Sequence, residues 1–202
     1  MRPFTTLLVL ATSTLSVLGA PTPEVNAKAR ASCPDVQVYF ARGTTETPTL
    51  GTVVGPGFSR TLTAALTGKS VTFTGIAYSA NIAGFLVGGD PGGATTMATS
   101  VTSTANSCPD TKIVISGYSQ GAQVTHLAAG QLTSAIQDRV VAVVTFGDPD
   151  ENTALPGVLE SRRKTFCNVG DLICTGQPIV LAPHLTYGSD AAAAAAFVKT
   201  KV

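Results

Sequence analysis

A serine between two glycines is the first feature of this chain that could do chemistry. Gly117-Tyr118-Ser119-Gln120-Gly121 follows the apolar run KIVIS and precedes a helix-like stretch. In this strand–turn–helix context, G-x-S-x-G is typical of a nucleophile elbow, whose glycines allow a sharp turn that exposes the serine hydroxyl. The backbone N–H of Gln120 would then lie at a helix N-terminus, where a developing oxyanion is stabilised. The pattern predicts Ser119 as a nucleophile; the alternative is an ordinary glycine-bounded turn.

A serine nucleophile needs a general base, and the chain has two histidines. His126 lies seven residues beyond Ser119 in the predicted helix. At about 1.5 Å per residue it would sit roughly 10 Å along the axis, pointing away from the turn. We therefore interpret His126 as a structural or surface residue. His184, which follows an apolar run, is the predicted base.

The acid that orients the base is less sharply defined. In folds with a nucleophile elbow, the order along the chain is serine, acid, histidine. Six acidic residues lie between Ser119 and His184. Asp171 is the first choice because it comes just after the short strand-like run TFCNV. Asp148 and Asp150 follow the run VVAVVTF in the same way, and spacing alone leaves them open.

Apolar runs alternate with helix-length stretches along the chain. We predict strands at 36–41, 71–78, 112–116, 140–146 and 165–169, and helices at 56–66, 94–106, 120–135 and from the N-cap Asp190 through the alanine-rich tail. Residues 80–93 are predicted to be a Gly-rich loop. Strands alternating with helices indicate an α/β fold of three layers, a mostly parallel sheet with helices on both faces. Ligands of such sheets bind at the carboxyl ends of the strands.

The N-terminal residues predict secretion. Residues 1–20 combine Arg2, an apolar stretch and two small residues, as secretory signal peptides do. Residues 21–32 are predicted to be a propeptide or a disordered tail, which leaves 33–202 as a single domain. No other stretch approaches eighteen consecutive apolar residues, so we expect no stable membrane insertion.

Charge and cysteines exclude other classes of protein. The formal net charge is +1, and no basic stripe of the kind that binds nucleic acid is present. Four cysteines in a secreted chain predict disulfides. The spacing of the last two fits no common zinc site, so we expect no metal.

Four sequence blocks together resemble the cutinases, a family of small secreted serine esterases with the α/β-hydrolase fold. These blocks are RGTTE at 42–46, PDTKIVISGYSQG at 109–121, CNVGDLICTG at 167–176, and APH at 182–184 with YG at 187–188. They occur in order and span most of the chain from residue 33 onward. The resemblance implies a small α/β-hydrolase with a five-stranded, mostly parallel sheet.

The resemblance also implies the catalytic roles. Ser119 would be the nucleophile, Asp171 the acid and His184 the base. The backbone N–H groups of Thr44 and Gln120 would form the oxyanion hole, to which the Thr44 hydroxyl would also contribute. Family membership implies the disulfides Cys33–Cys108 and Cys167–Cys174. It implies no cofactor and no metal, and we expect a monomer.

Two positions and one segment depart from the family pattern. Thr44 stands where many relatives have serine, and its extra methyl group restricts χ1. Gln177 stands where small residues are usual. The segment 84–93 does not clearly carry the asparagine that supports the oxyanion residue in some relatives.

Two apolar segments predict the substrate. The candidate substrate-binding residues are Phe85, Leu86 and Val87 in the Gly-rich loop, and Ile179, Val180 and Leu181 just before the predicted base. If both segments reach the surface, they form an apolar rim suited to acyl chains and to insoluble polyesters such as cutin. The alternative is that they pack inward.

Two other functions stay open. One is hydrolysis of acetyl esters on a polysaccharide such as xylan, because acetylxylan esterases resemble the same fold. The apolar run beside His184 argues against it. The other is a non-enzymatic binding or elicitor protein on a hydrolase scaffold, against which the intact serine, aspartate and histidine argue.

Overall fold

The fold is a three-layer α/β sandwich built on a parallel sheet. The computed structural model describes Met1 and residues 33–202. Apart from Met1, the predicted signal peptide and the segment 21–32 lie outside the described residues. The sheet comprises β1 (Val36–Ala41), β2 (Val71–Gly75), β3 (Lys112–Tyr118), β4 (Val140–Phe146) and β5 (Arg163–Phe166). Its strand order is β2-β1-β3-β4-β5, and within residues 33–202 all four pairings are parallel.

Helices cover both faces of the sheet. They are α1 (Gly55–Ala65), α2 (Ile82–Leu86), α3 (Pro91–Ser107), α4 (Gln120–Gln131), α5 (Ser134–Gln137) and α6 (Ala191–Lys199). Short 3₁₀ helices occur at Gly157–Arg162, Ile173–Thr175, Ala182–Leu185 and Tyr187–Asp190. No helix in the described part of the chain has the length and apolarity needed to cross a bilayer.

Strand β3 shows how the sequence creates two cores. Ile113 and Ile115 point into a cluster with Val101 of α3 and Val124 of α4. Val114 points to the opposite face, into the cluster formed with α1 and α6. Side chains alternate along a strand, so an unbroken apolar run can fill both cores at once. The central strands are therefore predictable from sequence. Their carboxyl ends define the edge of the sheet at which a ligand is expected to bind.

Two capping side chains explain the helices that composition obscures. Residues 80–93, predicted to be a loop, contain α2 and the start of α3. The side chain of Asn81 accepts a hydrogen bond from the Gly84 N–H at the start of α2. Asp90 does the same for the Gly93 N–H at the start of α3. Each cap satisfies an N–H that a helix end would otherwise leave unpaired, which offsets the low helix propensity of the glycines.

Other boundaries also differ from the predictions. Strand β2 ends at Gly75, three residues early, and β5 begins two residues before the predicted Thr165. The helix predicted for 120–135 stops at Gln131, because Leu132 is extended. Asp190 occupies the N-cap of α6 as expected, yet its side chain makes no capping hydrogen bond.

Both disulfides implied by the resemblance are present. Cys33–Cys108 joins the start of the domain to the end of α3. Cys167–Cys174 closes a short loop directly after β5. The first therefore constrains the global chain, and the second constrains one loop at the carboxyl edge of the sheet.

Candidate active site

Ser119 lies at a sharp turn between β3 and α4. Its backbone has φ 57° and ψ −122°, a strained conformation for a residue with a side chain. Its N–H donates to the Phe146 carbonyl at 2.9 Å, which ties the turn to β4. A Cβ at Gly117 would collide with the backbone of Gly121, so the first glycine of the motif is required for the tight turn. The local geometry is that of a nucleophile elbow.

His184 and Asp171 form a buried pair. Nδ1 of His184 donates to Oδ2 of Asp171 at 2.8 Å, and the two residues are only 2% and 3% exposed. The other carboxylate oxygen, Oδ1, accepts from the Ile173 N–H at 3.0 Å. A carboxylate partner assigns the proton of a neutral imidazole to Nδ1, which leaves Nε2 free to accept another proton.

These residues meet at one cavity. A cavity of about 600 Å³ is lined by Thr44, Ser119 and His184 among others, while Asp171 lies behind the imidazole. The elbow at the end of β3, the segment after β1 and the loop after β5 thus converge on one edge of the sheet, as expected for parallel sheets. The structure therefore places Thr44, Ser119 and His184 at one cavity, with Asp171 hydrogen-bonded to the imidazole.

Two tyrosines enclose the imidazole of His184. The Tyr118 ring stacks on it at 5.1 Å between ring centroids, and the Tyr118 hydroxyl donates to the His184 carbonyl at 2.8 Å. Tyr187 meets the imidazole edge-on at 6.0 Å. Its hydroxyl donates to Oδ2 of Asp171 at 2.6 Å. Burial raises the pKa of both phenols above the ordinary value, so both hydroxyls keep their protons.

The contact between Tyr187 and Asp171 is one that sequence reasoning misses. Tyr187 belongs to a family block that assigns it no role, and nothing in its spacing indicates a hydrogen bond to an acid sixteen residues earlier. The available signal is its place three residues after His184, in a segment for which the sequence predicts neither a helix nor a strand.

Asp148, the alternative acid, pairs with the other histidine. Its Oδ2 lies 3.0 Å from Nε2 of His126, and its side chain is fully buried. Oδ1 accepts from the Asp150 N–H at 2.9 Å. Burial alone would raise the pKa of Asp148, but the hydrogen bond and charge of His126 together hold it below the ordinary value. Asp148 therefore fastens α4 to the end of β4 and does not contact His184.

The segment after β1 is held by a buried guanidinium. Nε of Arg42 donates to the Glu46 carbonyl and Nη2 to the Tyr78 carbonyl, both at 2.8 Å. The Glu46 carboxylate in turn accepts from the Gly43 N–H at 2.7 Å. These contacts fix the backbone on both sides of Thr44.

The Thr44 hydroxyl itself lacks support. Its oxygen is buried and has no hydrogen-bond partner within the described residues. Asn81 supplies no such partner, because its side chain caps α2 and its carbonyl accepts from the Gln120 side chain at 2.6 Å. The hydroxyl is therefore buried without a hydrogen bond to any described part of the chain, in a residue that lines the cavity.

The apolar segments reach the surface. Leu86 and Val87 are 64% and 76% exposed, and Val180 is 56% exposed. Ile179 and Leu181 are also exposed. Of the six predicted substrate-binding residues, Phe85, Leu86 and Val180 line the cavity. Ile82, Ile173, Pro178 and Leu185 line it too, which sequence reasoning does not foresee.

Comparison with known proteins decides the family. Residues 32–202 match the family model of the cutinases. The chain belongs to the cutinase family. Members of this family are carboxylic ester hydrolases that act on ester substrates. The family assignment and the small α/β-hydrolase fold predicted from the sequence blocks are confirmed.

Individual relatives agree with this assignment. Cutinase CUT1 of Coprinopsis cinerea is 59% identical, over 98% of this chain and 99% of its own length. A cutinase of Botryotinia fuckeliana is 56% identical, over 92% of this chain and 90% of its own. A solved Trichoderma reesei cutinase in complex with a C11Y4 phosphonate inhibitor is 42% identical. Its TM-score is 0.80, with 83% of this chain and 76% of that chain covered.

Acetyl xylan esterase is a more distant neighbour. One solved structure is 27% identical with a TM-score of 0.68, covering 84% of this chain and 99% of that chain. The esterase fold is thus shared, whereas the sequence similarity favours the cutinases.

Proposed function

We propose that this protein is a secreted serine esterase that hydrolyses cutin or similar polyesters, and short-to-medium acyl esters, through an acyl-enzyme on Ser119. The observation that carries the proposal is the position of the His184–Asp171 pair. His184 lines the same cavity as the strained Ser119, which supports its role as the base that takes the proton of the serine hydroxyl.

The proposed reaction follows from this arrangement. Ser119 Oγ attacks the ester carbonyl while Nε2 of His184 takes its proton, and Asp171 stabilises the resulting imidazolium. The imidazolium then protonates the departing alcohol. Water enters, gives a proton to His184 and attacks the acyl carbonyl. The bond from the acyl carbon to Ser119 Oγ then breaks, His184 returns the proton to Oγ, and the acid leaves.

The oxyanion is stabilised by the backbone N–H groups of Gln120 and Thr44. The Gln120 N–H lies at the N-terminus of α4. The Thr44 hydroxyl is a third donor, and its lack of a partner within the described residues supports this role. A donor that is already in place when charge develops costs no reorganisation.

The exposed apolar rim supports acyl chains and polyesters as substrates. Leu86 and Val180 line the cavity and are both more than half exposed. Covering such side chains with an acyl chain removes apolar surface from water, which lowers the free energy of the complex. Acetylated xylan offers no comparable apolar group, which leaves acetylxylan esterase as the weaker alternative. A non-enzymatic role would leave the assembled site without a use.

Secretion and a monomeric state complete the proposal. The two disulfides fit an extracellular protein, since thiols in the cytosol are kept reduced. Removal of the predicted signal peptide can be checked by N-terminal sequencing of the protein from culture medium, and the mass by light scattering.

A substrate panel tests the function. Turnover is measured on p-nitrophenyl esters of increasing acyl length, on a polyester film and on acetylated xylan. We expect activity on the acyl esters and the film, with little release of acetate from xylan. Acetate release as the dominant activity would instead make the protein an acetylxylan esterase. No turnover of any substrate by folded protein would refute the enzymatic function.

A further inference from the structure

We propose that Tyr187 is a positioning residue for the reaction. Its hydroxyl holds the carboxylate of Asp171 in the orientation that receives the Nδ1–H of His184. This inference rests on the proposed function, because it takes His184 as the base and Asp171 as the group that orients it.

The hydrogen bonds of Tyr187 fix the direction of its O–H. The Asn168 backbone N–H donates to the phenol oxygen at 2.9 Å. A backbone N–H cannot accept, so the phenol oxygen accepts there and its own proton is available for the 2.6 Å bond to Oδ2 of Asp171. Because burial raises the pKa of Tyr187 above its ordinary value, the phenol keeps its proton and remains a donor at neutral pH.

Both oxygens of Asp171 are thereby anchored. The Ile173 N–H holds Oδ1 at 3.0 Å, and Tyr187 holds Oδ2, the oxygen that also accepts from His184. The terminal torsion of an aspartate is broad, so one anchor alone would leave the carboxylate plane free to turn. With two anchors, Oδ2 stays in front of Nδ1 even while the imidazole gains and loses a proton at Nε2.

The ring of Tyr187 is held by contacts that do not involve the hydroxyl. The residue is fully buried, and its ring meets Phe146 edge-on at 6.4 Å and the imidazole of His184 at 6.0 Å. Tyr187→Phe keeps these contacts and removes one oxygen. The substitution removes two hydrogen bonds, the one to Asp171 and the one from the Asn168 N–H, and a cycle with an Asp171 variant isolates the first.

A double-mutant cycle tests the proposal. We expect Tyr187→Phe to lower kcat about tenfold, with KM changed by less than about twofold, as for loss of one hydrogen bond to a charged group. In an Asp171→Ala background the same substitution should change kcat by less than about twofold, because its target is gone. Tyr39→Phe is the matched control. Tyr39 is similarly buried, and its hydroxyl donates to the Ser100 carbonyl, away from the site.

The outcomes separate this inference from the proposed function. If Tyr187→Phe leaves kcat within about twofold of wild type, or lowers it equally in both backgrounds, Tyr187 does not act through Asp171. Ser119→Ala is measured in parallel. Activity retained by Ser119→Ala would refute the proposed function itself, whereas its loss alongside a silent Tyr187→Phe would overturn only the role of Tyr187.

A second measurement keeps the hydroxyl and the fold. Fluorotyrosine at position 187 is a more acidic phenol and a stronger donor to Oδ2. We expect the low-field NMR resonance of the His184 Nδ1 proton to shift, because the two donors share one acceptor. Fluorotyrosine at position 39 should leave it in place. A resonance that does not respond to position 187 would contradict the proposal.

Discussion

Gly147 lies directly against the imidazole of His184. A Cβ at Gly147 would fall 2.8 Å from Cε1 and 2.9 Å from Nδ1 of that ring, and 2.7 Å from Cε2 of Tyr187, closer than side-chain carbons approach. Gly147 directly follows β4 and has φ +53°, a conformation that favours glycine. The end of β4 therefore shapes the site although none of its side chains does chemistry.

Gly147→Ala should displace His184 from its place beside Asp171. We expect kcat for a p-nitrophenyl ester to fall at least about tenfold, because small misplacements of a catalytic group are costly. The positive φ should cost about 1 kcal/mol of unfolding free energy as well. Gly68→Ala is the matched control, since Gly68 has φ +82° and a Cβ added there would have nothing within 4 Å. It should lose stability and keep its kcat; equal losses of kcat in both variants would contradict this role of Gly147.

The Cys33–Cys108 disulfide should matter more for stability, and the Cys167–Cys174 disulfide should matter more for activity. The Cys167–Cys174 loop spans a sequence separation of 7, and that of Cys33–Cys108 spans 75. Chain entropy assigns about 2 to 3 kcal/mol to the short loop and about 4 to 5 kcal/mol to the long one. The short loop also holds Asp171. Replacing Cys167 and Cys174 by alanine should therefore lower kcat strongly with a modest loss of stability.

Replacing Cys33 and Cys108 should do the reverse, with a larger loss of stability and nearly unchanged kcat. Urea denaturation and esterase assays on both double variants provide the comparison. An unchanged kcat in the Cys167–Cys174 variant, with the bond verified absent by mass spectrometry, would show that the loop does not aim Asp171.

The His126–Asp148 pair predicts a dependence of stability on pH. Because the pKa of Asp148 is lower in the folded state than in the unfolded chain, its carboxylate stabilises the fold above the unfolded value of about 3.9. This contribution is lost as pH falls through the folded-state pKa. Asp148→Asn should lower the free energy of unfolding by about 1 to 3 kcal/mol at neutral pH. The difference from wild type should shrink below about pH 4.

Activity of the same variant separates the two candidate acids. Since Asp148 contacts His126 and not His184, kcat of Asp148→Asn should stay within about threefold of wild type at neutral pH, whereas Asp171→Asn should lose several orders of magnitude. Urea titrations across the acid range give the stabilities. A kcat loss in Asp148→Asn comparable to that of Asp171→Asn would reassign the acid.

The apolar rim predicts a chain-length effect. Val180→Ser removes apolar surface at the cavity, so kcat/KM for a long-chain p-nitrophenyl ester should fall about tenfold, as for loss of a buried valine contact. The acetate ester, which cannot reach the rim, should be nearly unaffected. Val158→Ser, an exposed valine in the 3₁₀ helix Gly157–Arg162, is the control. Equal effects on short and long esters would show that Val180 does not contact the acyl chain.

The central strands and the nucleophile elbow can be predicted because their signals are local, whereas spacing alone leaves the acid open between Asp171, Asp148 and Asp150. The run before Ser119 is apolar on both faces, and the elbow glycines permit the sharp turn because a Cβ at either would collide with backbone. The edge strands are placed less well from sequence, since β2 and β5 are only half covered and their ends carry no strong pattern. Helix α2 escapes prediction because its stability depends on the Asn81 cap in a Gly-rich stretch.

What the sequence does not reveal depends on contacts across the chain. Tyr187 reaches Asp171, and Gly147 meets His184, only after the loop beyond β5 has folded over the sheet edge. Neither residue type indicates such a role by itself. The missing partner of the Thr44 hydroxyl, within the part of the chain that the structure describes, is likewise a property of the assembled site.

The central claim is that Ser119 carries the acyl group, and covalent labelling tests it directly. A p-nitrophenyl phosphonate should inactivate the enzyme with one equivalent bound, and mass spectrometry should place the adduct on Ser119. Ser119→Ala, folded by circular dichroism, should take up no label and hydrolyse no ester. An adduct on another residue, or turnover by Ser119→Ala within about tenfold of wild type, would contradict the claim, because serine hydrolases lose several orders of magnitude without their nucleophile.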